Sequence, residues 1–187
     1  GVYLLVYLAG RVAKETYLRL TAIFALSSVA TLLVITGVLS FMLMPGVPSW
    51  YETGSVLQAF FGENTMAQVF VRVFFMLTIT GVVGGIVAGG IKDAAEKAVV
   101  SRALSAVGIF GTIAGSLCFF WYMQTVPETT DLIIRTRVPE SFATMLYAFA
   151  GGSIVYFLVM AAVPGLLKSS IAAVATVVIL VVGLAPE

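Results

Sequence analysis

A run of about 26 almost uninterrupted apolar residues, from Met66 to Ile91, constrains the fold most, because it can cross a lipid bilayer as a tilted α-helix. One full charge, Arg72, lies inside the run, and its second half is rich in glycine. A cation in lipid and a glycine face for close helix contact are both unusual. We therefore expect a helix that faces protein more than lipid.

The composition indicates a helical membrane protein. Hydrophobic residues make up 60% of the 187 residues and charged residues 10%, whereas roughly 25% of the residues of a soluble domain are charged. We predict one all-α transmembrane domain over residues 1–187, a polytopic helix bundle with four full spans. The full spans are residues 20–44, 66–91, 103–123 and 141–163. Residues 171–184 form a short final span, and residues 1–9 form an N-terminal half-span, which we expect to be the end of a truncated helix.

A short helix lying flat at the membrane surface is predicted for residues 49–61. The preceding span ends at Pro45 and Pro48, because proline cannot continue a helix. Trp50 and Tyr51 follow, and these residue types favour the membrane–water interface. Four further apolar residues share one helical face, as in helices that bind to a membrane surface; they are Val56, Leu57, Phe60 and Phe61.

Basic residues are distributed unequally between the two ends of the predicted spans. Only Arg135 and Arg137 lie on one side. Cytoplasmic loops carry an excess of lysine and arginine, so we predict that loops 45–65 and 124–140 face the exterior. Residues 11–19 are then a basic turn, and residues 92–102 a helical connector, on the cytoplasmic side. The seven basic residues of that side are Arg11, Lys14, Arg19, Lys92, Lys97, Arg102 and Lys168.

Glycine spacing predicts a contact between the second and third full spans. Gly81, Gly85 and Gly89 recur every four residues in the second span, and Gly111 and Gly115 do so in the third. Small residues at this spacing let two membrane helices approach closely. We therefore expect these two spans to pack together.

Histidine is absent from the chain, which limits the cofactors that it can bind alone. Imidazole is the usual axial ligand of haem and a frequent ligand of zinc, copper and iron. Any such cofactor would need a methionine, a cysteine or a carboxylate of this chain, or ligands from elsewhere. Met42 and Met44 could ligate iron through their thioethers, but packing is the better interpretation of both methionines. Cys118, the single cysteine, is expected to be a packing residue. No nucleophile–base pair or metal-spaced cluster is present, so no catalytic residue and no metal ligand is predicted.

Four motifs follow one another between residues 40 and 72. They are Ser40-Phe-Met-Leu-Met-Pro45-Gly46, then Trp50-Tyr-Glu52-Thr53-Gly54, then Phe60-Phe61, and then Arg72. Together they resemble a diverged branch of subunit I of the cytochrome bd-type quinol oxidases, with the spacing from the phenylalanine pair to the arginine kept. Beyond this block the similarity is mainly in hydropathy and order.

The sequence departs from that family at two positions. Gly62-Glu63 replaces the Asn-Pro of the family's turn, and Val71-Arg72 stands where quinol oxidases have a haem-ligating histidine. The family's other haem histidines lie in earlier helices, and we expect this chain to begin after them. The resemblance thus implies a membrane electron-transfer subunit whose haem ligands lie upstream or on another chain.

Arg72 is the main candidate site residue. Its guanidinium could pair with a haem propionate or a quinone oxygen near the outer face, or instead with Glu52 or Glu63, or extend to the interface. An unpaired charge in lipid is costly, so some partner is expected. Glu52 and Glu63 lie where a base for quinol deprotonation would be needed, although solvated loop acids are the alternative. Trp50 completes the predicted cofactor-contacting set.

Two functions remain open. The first is a subunit of a bd-like, quinol-linked respiratory electron-transfer complex of the bacterial or archaeal inner membrane. It would contact haem or quinone through partner segments and would not be catalytic alone. Its partners would be other membrane subunits, including a c-type or b-type cytochrome. The second is a non-redox scaffold subunit of a larger complex. A transporter is disfavoured, because apart from Arg72 the spans hold only scattered serine and threonine.

Overall fold

The computed structural model describes residues 8, 10–43, 50–126, 128, 132, 136, 141–166 and 168–184, and every regular element among them is a helix. This confirms the all-α class. The predicted half-span at 1–9 lies outside the described residues, apart from Leu8. Four helices are long and apolar enough to cross a membrane, which confirms the four predicted full spans; they are Lys14–Met42, Asn64–Gly89, Ala94–Gln124 and Thr144–Ala162.

The chain groups by its internal contacts into two compact units, Gly1–Val69 and Phe70–Glu187. The last helix has 16 residues, about 24 Å at 1.5 Å per residue, which is less than a full bilayer core. In chain order the described elements are α1 (Lys14–Leu43), α2 (Trp50–Thr53), α3 (Val56–Phe60), α4 (Glu63–Gly89), α5 (Ala94–Gln124), α6 (Ser141–Ala162), a 3₁₀ turn (Pro164–Leu166) and α7 (Ser169–Leu184).

Two helices extend into segments that the sequence assigned differently. Most of the predicted turn at 11–19 belongs to α1, where Arg19 Nη2 lies 2.6 Å from Glu15 Oε1. The predicted connector at 92–102 and the span after it form one helix, α5. Its start is fixed by Asp93, whose carboxylate accepts hydrogen bonds from the first turn of the helix. A helix therefore continues beyond the lipid boundary that hydropathy detects.

The segment predicted as one interfacial helix over 49–61 is helical in the described residues, where it is divided into two short helices, α2 and α3. Gly54 separates them with φ = 65°, a left-handed conformation that ends α2. Ser55 then begins α3 by accepting a hydrogen bond from the Gln58 amide. Position 49 lies outside the described residues.

Close contacts at glycine hold the second unit together. A β-carbon added to Gly111 would lie 2.7 Å from the Phe74 carbonyl oxygen and 2.9 Å from the Thr78 nitrogen, so the backbones of α4 and α5 touch there. Phe157 of α6 is fully buried, with its ring against Gly81 and Gly108. These contacts confirm the predicted packing of the second and third spans, and they add α6 as a third member.

Candidate functional site

Four polar side chains in the first unit, Ser40, Asn64, Thr65 and Gln68, are at most 7% exposed. We term them the polar cluster. Thr65 Oγ1 lies 2.8 Å from Ser40 Oγ and 2.6 Å from the carbonyl oxygen of Phe60. Gln68 donates to Asn64 Oδ1, which lies 3.5 Å from Ser40 Oγ. The cluster therefore links the end of α1 to the start of α4 by hydrogen bonds.

Aromatic rings adjoin the polar cluster in the first unit. The Phe41 ring lies 5.3 Å from the Trp50 ring and 5.6 Å from the Phe60 ring, both edge to face. A β-carbon at Gly37 would lie 3.3 Å from Phe60 Cβ, so α3 packs closely on α1. Trp50, one of the predicted site residues, is therefore half-buried against Phe41. Three of the four motif segments meet here.

The two predicted acidic site residues are not part of this packing. Glu52 is exposed on α2, next to Thr53, whose hydroxyl lies 2.7 Å from Gln58 Oε1. Glu63 is the first residue of α4, and its side chain lies outside what the structure describes. A role for either carboxylate in quinol deprotonation stays a prediction.

Arg72 lies in the second unit, half-buried on α4. The hydroxyl of Tyr122, near the end of α5, lies within electrostatic range of the Arg72 guanidinium. The same two helices also meet through aromatic rings, with 6.2 Å between the ring centroids of Phe70 and Trp121. The polar surroundings of Arg72 thus include a phenol of its own chain. Its pairing with Glu52, Glu63 or a cofactor remains a prediction.

The donor groups of these regions are suited to hydrogen bonding rather than to metal binding. No group of three or more His, Cys, Asp and Glu side chains is close enough to hold a metal ion within the described ranges. Cys118 is a half-buried free thiol on α5. Met42 is 74% exposed, and Met44 lies outside the described residues. Hydroxyl, amide and guanidinium groups can instead bind a carbonyl oxygen or an anion.

The sequence indicated the polar cluster only in part. Of its four members, only Ser40 belongs to one of the motifs between residues 40 and 72. The available signal was the interval of four between Asn64 and Gln68, which places both on one side of a helix. Their pairing with Ser40, which is 24 residues from Asn64, has no local signal.

The second unit has its own buried polar groups, which the sequence also did not single out. Thr78 Oγ1 and Thr112 Oγ1 lie 3.2 Å apart between α4 and α5. Three further serine hydroxyls are buried without a hydrogen-bond partner among the described residues, namely those of Ser101, Ser105 and Ser153. Small hydroxyl residues on membrane helices serve close packing as well as hydrogen bonding, so these serines fit a packing role.

Two cavities open within the second unit. One, of about 330 Å³, lies between α4, α5 and α6 and is lined mainly by aromatic side chains, including Phe75, Phe119, Phe120 and Tyr147. The other, of about 270 Å³, lies between α6, the 3₁₀ turn and α7. Both linings are almost wholly apolar, so any ligand would be held there chiefly by apolar contact.

Comparison of the chain with known protein families, with curated proteins and with solved structures finds no match. The likeness to the cytochrome bd-type subunit therefore rests on the motifs between residues 40 and 72 alone.

Proposed function

We propose that this chain is a membrane subunit of a bd-like, quinol-linked respiratory electron-transfer complex in a bacterial or archaeal inner membrane. Its helices contribute packing to the complex. Arg72 contacts an anionic group of a haem or a quinone, in a site completed by other segments or chains. The iron ligands come from those partners, which include a c-type or b-type cytochrome, because this chain has no histidine.

The observation that carries the proposal is the meeting of three motif segments beside the polar cluster. Buried amides and hydroxyls must be hydrogen-bonded to offset their desolvation, and small apolar residues alone can pack membrane helices. Packing therefore does not require four buried polar side chains at one helix junction. Polar groups inside membrane segments often mark ligand or ion sites, and hydroxyls and amides are the groups that bind quinone oxygens.

The proposal is tested on the complex as it exists in the native membrane. The chain is tagged in its host, extracted in a mild detergent and purified with its partners. We expect a reduced-minus-oxidised absorption spectrum with haem bands, and oxidation of a soluble quinol analogue by the preparation. A purified complex with neither property would overturn the proposal.

Variants of Arg72 test its contact with the anionic group. Arg72→Ala should lower haem occupancy or quinol oxidation by about thirtyfold or more, since removing one partner of a buried charge pair costs at least about 2 kcal/mol. Arg72→Lys keeps the charge but loses the planar fork, so its effect should be intermediate. The matched control is Arg102→Ala, at an exposed arginine near the start of α5. If Arg72→Ala and Arg102→Ala behave alike, Arg72 has no cofactor role.

A scaffold subunit without redox chemistry is the second candidate, and one observation favours it. The helices of the second unit meet at glycines that lie directly against neighbouring helices, as at Gly108 and Gly111. Such close contacts are sufficient for a structural bundle. A complex that assembles through this chain, but contains no haem and oxidises no quinol, would support this alternative.

A further inference from the structure

An apolar groove of about 270 Å³ opens between α6, the 3₁₀ turn and α7 in the second unit. Tyr156, Val159 and Val163 line it from α6 and its end. The Tyr156 hydroxyl lies 3.4 Å from the carbonyl oxygen of Val82, so its polar end is used within the protein. From residue 156 to residue 163 the helix rises about 10 Å, roughly a third of the hydrocarbon core. Val159, Val163 and Leu166 are exposed, so the groove is open on its outer side, and it extends along α6 over the length of a segment of an acyl chain.

Lys168 follows the turn end of this groove in the chain and is not itself one of the lining residues. Lys168 stands between Leu166 and Ile171, which both line the groove. It is exposed, and it makes no ion pair with any residue that the structure describes. The groove thus combines an apolar wall with a positive charge at the level where a membrane helix ends.

The neighbouring helix end is basic as well. The 3₁₀ turn contacts α5, and the first turns of α5 carry Lys97 and the exposed Arg102. Lys97 donates to the carbonyl oxygen of Gly89. Two acids accompany them: Asp93, whose carboxylate accepts hydrogen bonds from backbone amides as the helix cap, and Glu96, which is exposed in the first turn of α5. The basic residues Lys92, Lys97 and Arg102 outnumber these two acids.

We propose that this groove binds an anionic phospholipid, with one acyl chain along α6 and α7 and the phosphate at Lys168. Ammonium groups bind phosphate as point charges. Basic pockets between membrane helices are the usual sites for anionic headgroups. The inference is independent of the redox function, since it uses none of the residues assigned to it.

The dimensions of the groove favour a lipid chain over a helix of a partner protein. An α-helix with its side chains is about 10–12 Å wide. A single acyl chain is much thinner. An uncharged groove would take any lipid chain, so Lys168 supplies the preference for an anionic headgroup.

The test uses the purified full chain and native mass spectrometry with phosphatidylglycerol or phosphatidylcholine of the same acyl chains. Wild type should bind phosphatidylglycerol about fivefold more tightly, the effect of one basic residue near the membrane surface. Lys168→Gln should abolish that preference and leave phosphatidylcholine binding unchanged. This lysine is exposed in a turn, so its replacement should not impair folding. Lys92→Gln, at another exposed lysine of the second unit, is the matched control and should keep the preference.

The apolar part of the site is tested by filling it. Val159→Trp should lower the binding of both lipids, because residue 159 lines the groove. Val174→Trp, at an exposed α7 position outside the lining, should not.

Three results would overturn the proposal. They are equal binding of the two lipids by wild type, an equal loss of the preference in Lys168→Gln and Lys92→Gln, and unchanged lipid binding in Val159→Trp. If Val159→Trp released a co-purified subunit while lipid binding persisted, the groove would belong to a protein partner instead.

Discussion

Gly111→Ala should separate α4 from α5 and destabilise the second unit. The added methyl group would lie 2.7 Å from the Phe74 carbonyl oxygen, 2.9 Å from Leu77 Cβ and 2.9 Å from the Thr78 nitrogen. Two of these three atoms belong to the backbone, so no side-chain rotation relieves the clash. The helices themselves must move apart by several tenths of an ångström.

The expected cost follows from three terms. Overpacking by one methyl group costs about 1–3 kcal/mol. Separating the helices also weakens the 3.2 Å contact between Thr78 and Thr112, and such a bond in a membrane bundle contributes about 0.6 kcal/mol. Replacing glycine by alanine within a helix recovers up to about 1 kcal/mol of propensity. The net loss should be about 2 kcal/mol.

Equilibrium unfolding of the purified protein in mixtures of a mild detergent and sodium dodecyl sulfate measures this loss. Gly152→Ala on α6 is the matched control, because a β-carbon there would meet no atom within 4 Å. The control should be neutral or stabilising, since only the propensity term acts. Equal unfolding midpoints for the two variants would refute the argument that backbone contact at Gly111 sets the helix spacing.

Three further predictions concern buried contacts. Thr65→Val should cost about 1–3 kcal/mol in the same unfolding measurement, because it leaves buried hydrogen-bond partners unsatisfied. The control is Thr80→Val, at an exposed threonine whose hydroxyl is hydrogen-bonded only to its own helix, and it should cost less than half as much. Gly108→Ala and Phe157→Leu should each destabilise the second unit. The double variant should lose about 0.5–3 kcal/mol less than the sum of the two single losses, because the smaller side chain makes room for the methyl group. Strict additivity of the two losses would contradict this. Replacing the whole polar cluster by apolar residues of similar size should destabilise no more than Thr65→Val alone, because the side-chain partners are removed together. It should abolish quinol oxidation by the complex; retained oxidation would remove the cluster from the site. That replacement combines Ser40→Ala, Asn64→Leu, Thr65→Val and Gln68→Met.

The number and class of the spans could be predicted because the length of an apolar run reflects bilayer thickness directly. The ends of the helices could not be, because they depend on single caps. Asp93 starts α5 well before the lipid boundary, and Gly54 ends α2 inside a segment that hydropathy treats as continuous. Both residues have recognisable cap or turn chemistry, but hydropathy averages conceal it.

The polar cluster shows a different limit. Its members include Ser40 and Thr65, which belong to separate helices and come together only through the course of the intervening turn. A sequence pattern within one helix contains no information about that course. The glycine contacts were easier to predict, because small residues at intervals of four on two helices suggest a close approach before the partner surface is known.

The two units also differ in what holds their helices together, and the difference bears on function. In lipid, apolar burial provides little force between helices, so close contact and hydrogen bonds must supply it. The second unit achieves this with glycine, threonine and Phe157, none of which offers a charge to a ligand. Neither Arg72 nor Lys168 takes part in these contacts. Side chains whose chemistry exceeds the needs of packing are where interaction with a cofactor or a lipid is expected.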